Sequence, residues 1–148
     1  MRENDIARIV VDVAFQIHKR LGPGLLETVY EAVMLHELRK RGLPVENQAP
    51  IPVEWDGVRL EVGFRVDLFV DGCLIVELKS VEQITPVHKK QVLTYLRLAN
   101  CQLGLLINFN TELIKDGISR VVNGLPFESE EDLTQRRQGA KEDKEMRK

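Results

Sequence analysis

The chain has 148 residues, 43% hydrophobic and 30% charged, which is enough to bury a core in one domain and excludes a disordered or fibrous protein. Its 21 basic and 23 acidic residues leave a formal net charge of -2, which excludes a bulk electrostatic grip on nucleic acid; any such contact has to be local. No long apolar run marks a signal peptide or a membrane span, so the expected place is the cytoplasm with no membrane partner, and Cys73 and Cys101, both inside apolar segments, read as reduced core thiols.

Ile6, Ile9, Val10, Val13, Ala14, Ile17 and Leu21 recur at the spacing of one helical face, which predicts a helix from Asp5 to Leu21 with Asn4 or Asp5 as its cap. Gly22-Pro23-Gly24 breaks it, and a second helix is expected from about Leu25 to Arg41, closed by Gly42. The period then becomes strand-like. Ile51 to Trp55 and Val58 to Val62, joined by Asp56-Gly57, predict a hairpin, with Pro50 and Pro52 confining the first strand to an edge or standing at its start. A second strand pair is expected from Phe64 to Val70 and Cys73 to Val81. Thr85-Pro86 starts a third helix that runs to about Ala99, with Asn100 able to close it. Leu103 to Asn108 reads as a buried strand reached by a parallel crossover, and Ile118 to Val122 as a further strand. Residues 1–127 form the expected domain; from Glu128 to Lys148 almost no apolar residue occurs, and the reading is a solvated helix or a flexible tail. Helix, helix, antiparallel strands, helix, strand predicts an α/β sandwich, a mixed central sheet flanked by helices.

Chemistry concentrates in Phe64 to Ser80, where Asp67, Glu77 and Lys79 interrupt apolar runs. Even-numbered residues are the apolar set on both strands, so if they share one face the paired residues must sum to an even number. A three-residue loop Val70-Asp71-Gly72, with Gly72 left-handed and Phe69 opposite Cys73, meets that condition and brings Asp67 and Glu77 to one face. There the two carboxylates and the Leu78 carbonyl would offer hard oxygen ligands to a divalent cation, with Lys79 beside a reacting water. A solvated carboxylate pair with Lys79 as a surface partner fits the same residues, and the motif alone leaves both readings open. His18 and His36 lack metal-ligand spacing and read as structural or solvent-facing. His88, Gln91 and Tyr95 form one stripe of the third helix, a packed polar edge for which His88 needs no catalytic role. Lys89, Lys90, Arg97 and Arg65 are candidate phosphate contacts.

Three stretches in order, the Gly-x-x-Glu-x-x-Tyr string of Gly24 to Tyr30, VDLFVDGCLIVELKS, and Gln91 to Tyr95, make the chain from Asp5 to Leu125 resemble the GxxExxY family of the PD-(D/E)XK nuclease superfamily. The resemblance implies a restriction-endonuclease-like three-layer sandwich and Mg²⁺-dependent hydrolysis of phosphodiesters, with Mn²⁺ able to substitute and nucleic acid, DNA in preference to RNA, as the partner. It matches Asp67 and Glu77 to the metal ligands and Lys79 to the catalytic lysine. Glu27 matches a helix acid beside the metal; Gln91 and Tyr95 match a Gln-x-x-x-Tyr helix motif, and Tyr30 falls to substrate binding or site support. Where similar nucleases usually carry a His, this chain has Glu27. The alternative is a noncatalytic binding or assembly module that keeps the fold; nothing in the sequence calls for a homo-oligomer.

Overall fold

A computed structural model describes residues 2–124. Helix α1 spans Arg2–Leu21 and α2 Glu27–Lys40; strands β1 and β2 span Val45–Trp55 and Val58–Val70, and β3 spans Leu74–Lys79. Helix α3 (Pro86–Ala99), β4 (Leu103–Asn108), a short 3-10 turn (Ile114–Gly117) and β5 (Ile118–Val122) complete the order. Among the described residues no helix is long and apolar enough to cross a membrane. The expected C-terminal tail from Glu128 lies outside them.

The strands form a five-stranded sheet in the order β1-β2-β3-β4-β5. Only β3 and β4 run parallel, joined through α3 as the crossover expectation required. β1 stands at one edge, where Pro50 and Pro52 remove no ladder bond from a central strand. Ile6, Val10, Val13 and Ile17 of α1 and Tyr30, Met34 and Leu38 of α2 bury against one face of the sheet, together with Leu68, Val76 and Leu105. Val92 and Leu96 of α3 bury against the other, with Ile75 and Leu106. The result is a three-layer sandwich with a mixed sheet, as expected.

Several boundaries differ. α1 begins at Arg2, so Asn4 and Asp5 lie inside its first turn, where Glu3 and Asp5 meet the positive end of the helix dipole. α2 starts at Glu27 rather than Leu25, because the Leu25 amide is already held by the Tyr30 hydroxyl at 3.1 Å and Leu26 is extended. β1 starts six residues before the expected Ile51, at Val45. The two strands expected on either side of Gly63 are one strand, β2. Gly63 does not break it; it is the place where β1 comes closest, since a Cβ there would lie 1.9 Å from the Ile51 carbonyl oxygen. The β1-β2 register shifts at the same level, between Ile51 and Val53.

The decisive register is that of β2 with β3. Leu68 faces Val76, Phe69 faces Ile75 and Val70 faces Leu74. This is the expected even parity, but the loop is Asp71-Gly72-Cys73, one residue later than anticipated. Asp71 and Gly72 are both left-handed (φ 51 and 66), as at the centre of a type I′ turn, and the Cys73 amide closes that turn by donating to the Val70 carbonyl at 3.1 Å. Cys73 is then the extra residue that sets the parity.

The expectation that all even residues of β2 share one face fails at Asp67. Leu68 and Val70 bury against α1 and α2, whereas Val66 buries on the α3 side. β1 changes sides at the same level, Val45 belonging to the first cluster and Ala49 and Ile51 to the second. Between them Gln48 takes a φ of 48, and the Gln48–Asp67 pair is missing between the Asn47–Leu68 and Ala49–Val66 rungs. Gly63→Ala is expected to destabilise the fold by about 1–3 kcal/mol, because the added methyl meets backbone rather than a side chain that can turn away. The urea midpoint measures this; an unchanged midpoint would show that the hairpin does not hold this approach.

Candidate active site

The β2-β3 ladder stops at Leu68 and Val76, while the β3-β4 ladder continues to Lys79 opposite Asn108. Beyond the last rung the two acids replace the backbone pairing. The Asp67 amide donates to Glu77 Oε1 at 2.9 Å, and the Leu78 amide donates to Asp67 Oδ2 at 2.8 Å. By extension of the register the two residues stand opposite each other, so Asp67 and Glu77 are brought together as expected. For Leu78 the visible role is that of its amide, which fixes Asp67.

Glu77 is 6% exposed, one of two buried polar side chains in the described core. Burial, and then the Asp67 charge, push its carboxyl from 4.5 to about 8, while the Lys79 ammonium opposes the shift. Two facing carboxylates in a poorly solvated notch thus share their charge badly, and one of them favours its proton. The Lys79 ammonium makes no hydrogen bond or ion pair among the described residues, and its half-buried side chain follows Glu77 by one pleat.

Residues that the sequence did not single out complete the notch. The Gln48 amide donates to Asp67 Oδ1 at 3.2 Å and to Glu31 Oε1 at 2.5 Å, which links Glu31 of α2 to the pair. Partial burial raises the Glu31 carboxyl, the Gln48 bond opposes this, and Asp67 raises it further. Glu31 lies one helical turn after Glu27, the spacing that could have drawn attention to it. Glu27 itself is placed by Ser80: its Oε1 accepts the Ser80 amide at 3.3 Å, and the Ser80 hydroxyl donates to the Leu25 carbonyl at 2.6 Å. Glu27 and Ser80 line an open cleft of about 480 Å³ at the start of α2.

Tyr30 is fully buried, so its ring belongs to the packed frame of the molecule. Its hydroxyl donates to the Gly22 carbonyl at 2.6 Å and its ring stacks on Phe109 at 4.2 Å, which ties the Gly22-Pro23-Gly24 loop to the end of β4. Buried Asn108 accepts the Val81 amide at 3.1 Å and donates to the Val81 carbonyl at 2.9 Å, holding the segment that follows Lys79. On the other face Tyr95 stacks on Phe64 at 4.0 Å. Burial raises its phenol, and the charges of Glu77 and Asp67 raise it further, so Tyr95 stands within their field. Gln91, Lys89 and Lys90 are exposed on α3, and the Gln91 side chain has no hydrogen-bond partner among the described residues. His88 Nδ1 accepts the Thr85 amide at 3.0 Å and serves the helix start. His18 bonds the Thr111 carbonyl at 2.8 Å.

Among the described residues no three His, Cys, Asp or Glu side chains are gathered closely enough to hold a metal ion. The chemistry of the notch nevertheless fits a hard cation: two carboxylates at hydrogen-bonding range of one another's strands, a third acid behind Gln48, and a proton held where a positive charge would be welcome.

An acid whose pKa is raised on folding stabilises the native state below its unfolded value, and that contribution is lost as pH rises toward the folded one. In chelator, Glu77→Gln is therefore expected to raise the melting temperature by several degrees at pH 8.5 and to have little effect near pH 5. Thermal unfolding of the two proteins across that range measures it. A difference that does not grow with pH would overturn the buried-acid account.

Among curated proteins and among solved structures nothing matches the chain. A family model described as the PD-(D/E)XK nuclease superfamily matches residues 4–121, which takes in both helices of the first layer, the acidic notch and nearly all of β5. With its mixed sheet, its flanking helices and the Asp67, Glu77 and Lys79 cluster at the parting of two strands, the chain belongs to the PD-(D/E)XK nuclease superfamily.

Proposed function

We propose that the protein is a Mg²⁺-dependent nuclease that hydrolyses phosphodiesters of nucleic acid, DNA in preference to RNA, and that it is a cytoplasmic member of the GxxExxY group. The observation that carries the reading is the opposed pair of Asp67 and Glu77, whose carboxylates accept the Leu78 and Asp67 backbone amides respectively, with Lys79 one pleat away. Glu77 is buried beside a second carboxylate, and its burial and then the Asp67 charge raise its pKa, a setting typical of functional sites.

Asp67 and Glu77 would hold the cation, with Glu31 or Glu27 completing its surroundings from α2. Bound there, a divalent cation supplies Lewis acidity and neutralises charge on the phosphate. The protein's own groups do the rest. Gln48 and the Leu78 amide fix the Asp67 carboxylate, so it needs no reorganisation when substrate arrives. Lys79 donates to a nonbridging phosphate oxygen or orients the attacking water, and its ammonium meets the negative charge that grows on the phosphate. The Tyr95 hydroxyl, inside the field of the acids, positions Lys79 or the substrate rather than losing its own proton. Gln91 stands one turn before it on α3.

Incubation with plasmid, single-stranded DNA and RNA, with and without Mg²⁺ or Mn²⁺, tests the reading. Cleavage is expected only with the metal, and Lys79→Ala is expected to lower its rate by about 10²- to 10³-fold. Calorimetry with Mn²⁺ should show binding that Asp67→Ala abolishes. A folded protein that neither binds Mn²⁺ through Asp67 nor cuts any of the three substrates would leave a noncatalytic module of the same fold.

A further inference from the structure

The chain is slightly acidic overall, yet one groove collects cations. It runs along β5, an edge strand among the described residues, has a volume of about 770 Å³, and is lined by Arg8 of α1, Lys115 of the 3-10 turn, Arg120 of β5 and Lys89 of α3. Phe15 of α1 lies in the same groove and is 44% exposed. The one carboxylate in the lining, Asp12, is paired with Arg41 at 2.7 Å. Arg8 touches Asp5 at 3.7 Å and Arg120 donates to Asn4 Oδ1 at 2.8 Å, whereas Lys115 and Lys89 have no ion-pair or hydrogen-bond partner among the described side chains. Glu112 and Asp116 flank Lys115 in sequence, and both are exposed.

Basic residues on an edge strand can simply guard it against pairing with another chain. That role needs neither cations from four separate elements nor an exposed ring among them. A positively charged groove with an aromatic side chain in it is the physical description of a single-strand site, where the backbone follows the cations and a base lies on the ring. The position agrees. β5 is separated from β3 only by β4, a distance of about 10 Å across the sheet. Ile118 at its start faces Ile107, next to the Asn108 that holds the segment after Lys79. A strand leaving the acidic notch over the ends of β3 and β4 meets the 3-10 turn and then the groove.

We propose that this groove binds a single strand of nucleic acid, with its phosphates on Lys115, Arg120, Arg8 and Lys89 and a base stacked on Phe15. The proposal rests on the nuclease reading for the identity of the ligand, and makes the substrate a strand that is unpaired on at least one side of the cut.

The test is fluorescence anisotropy of a labelled single-stranded oligonucleotide with the full chain in chelator, where no cutting occurs, at several salt concentrations. Lys89→Glu with Lys115→Glu is expected to weaken binding about tenfold or more and to reduce the salt slope by about 1.4, two phosphate contacts. Phe15→Ala is expected to weaken it about fivefold or more, and Phe15→Trp to keep it. Lys89 and Lys115 are exposed and carry no packing role, so this pair should fold even if a Phe15 variant does not. Unchanged affinity and slope in the lysine pair would overturn the proposal. So would duplex competing as well as single strand, or a change in sedimentation of the variant without a change in oligonucleotide binding, which would give the edge to a second copy. Groove-dependent binding by a protein that cuts nothing with Mg²⁺ would support the groove and remove the nuclease reading. Lys79-dependent cutting with groove variants that bind normally would do the reverse.

Discussion

The structure turns on an exchange of partners between β2 and β3. After Leu68 and Val76 the strands stop pairing through their backbones, and the Asp67 and Glu77 carboxylates take the amides that the ladder would have used. A buried amide without an acceptor costs free energy and a buried carboxylate without a donor costs more, so each defect here satisfies the other. The exchange holds two acids rigidly in a notch of the sheet, on backbone rather than on mobile loops. Burial of Glu77, and then the surplus of negative charge beside it, is why Glu77 takes a proton so readily.

The parity of that hairpin could be read from sequence because it depends on a simple periodicity. Leu68, Val70, Leu74, Val76 and Leu78 form one apolar set, and only an even pairing keeps them on one face. The loop position was harder to see. Asp71-Gly72 behaves as a two-residue turn and the extra residue is Cys73, whose side chain says nothing about turns. The face change at Asp67 was also hidden. It depends on Gln48 adopting a left-handed conformation in the neighbouring strand, and no local pattern marks a glutamine for that.

The same division separates the site residues. Asp67, Glu77 and Lys79 stand out because charge interrupts an apolar run. Gln48, Glu31 and Asn108 do not, because each acquires its role from a partner far along the chain: Gln48 from Asp67, Glu31 from Gln48, and Asn108 from Val81. Tyr30 shows the intermediate case. Its motif position marked it as belonging to the site, while its buried ring and its bond to Gly22 assign it to the frame. The frame matters to the chemistry because Tyr30, Ser80 and Asn108 together tie the loops after α1, β3 and β4 into one wall beside Lys79.

Net charge was the least informative quantity, and the reason is geometric. A sum near zero hides the separation of acids and bases into different places. Asp67, Glu77 and Glu31 gather at the parting of β2 and β3, while Arg8, Lys89, Lys115 and Arg120 gather along the β5 edge. Within a notch of low dielectric the acids repel phosphate strongly, so the notch alone cannot attract a nucleic acid. A cation between the acids reverses that local field, and the basic edge, about two strand spacings away, supplies attraction that does not depend on it. On the proposed reading, with the two functions separated, a strand would be held before a metal is bound, and the acids would keep the negative charge that metal binding needs without having to bind the strand themselves.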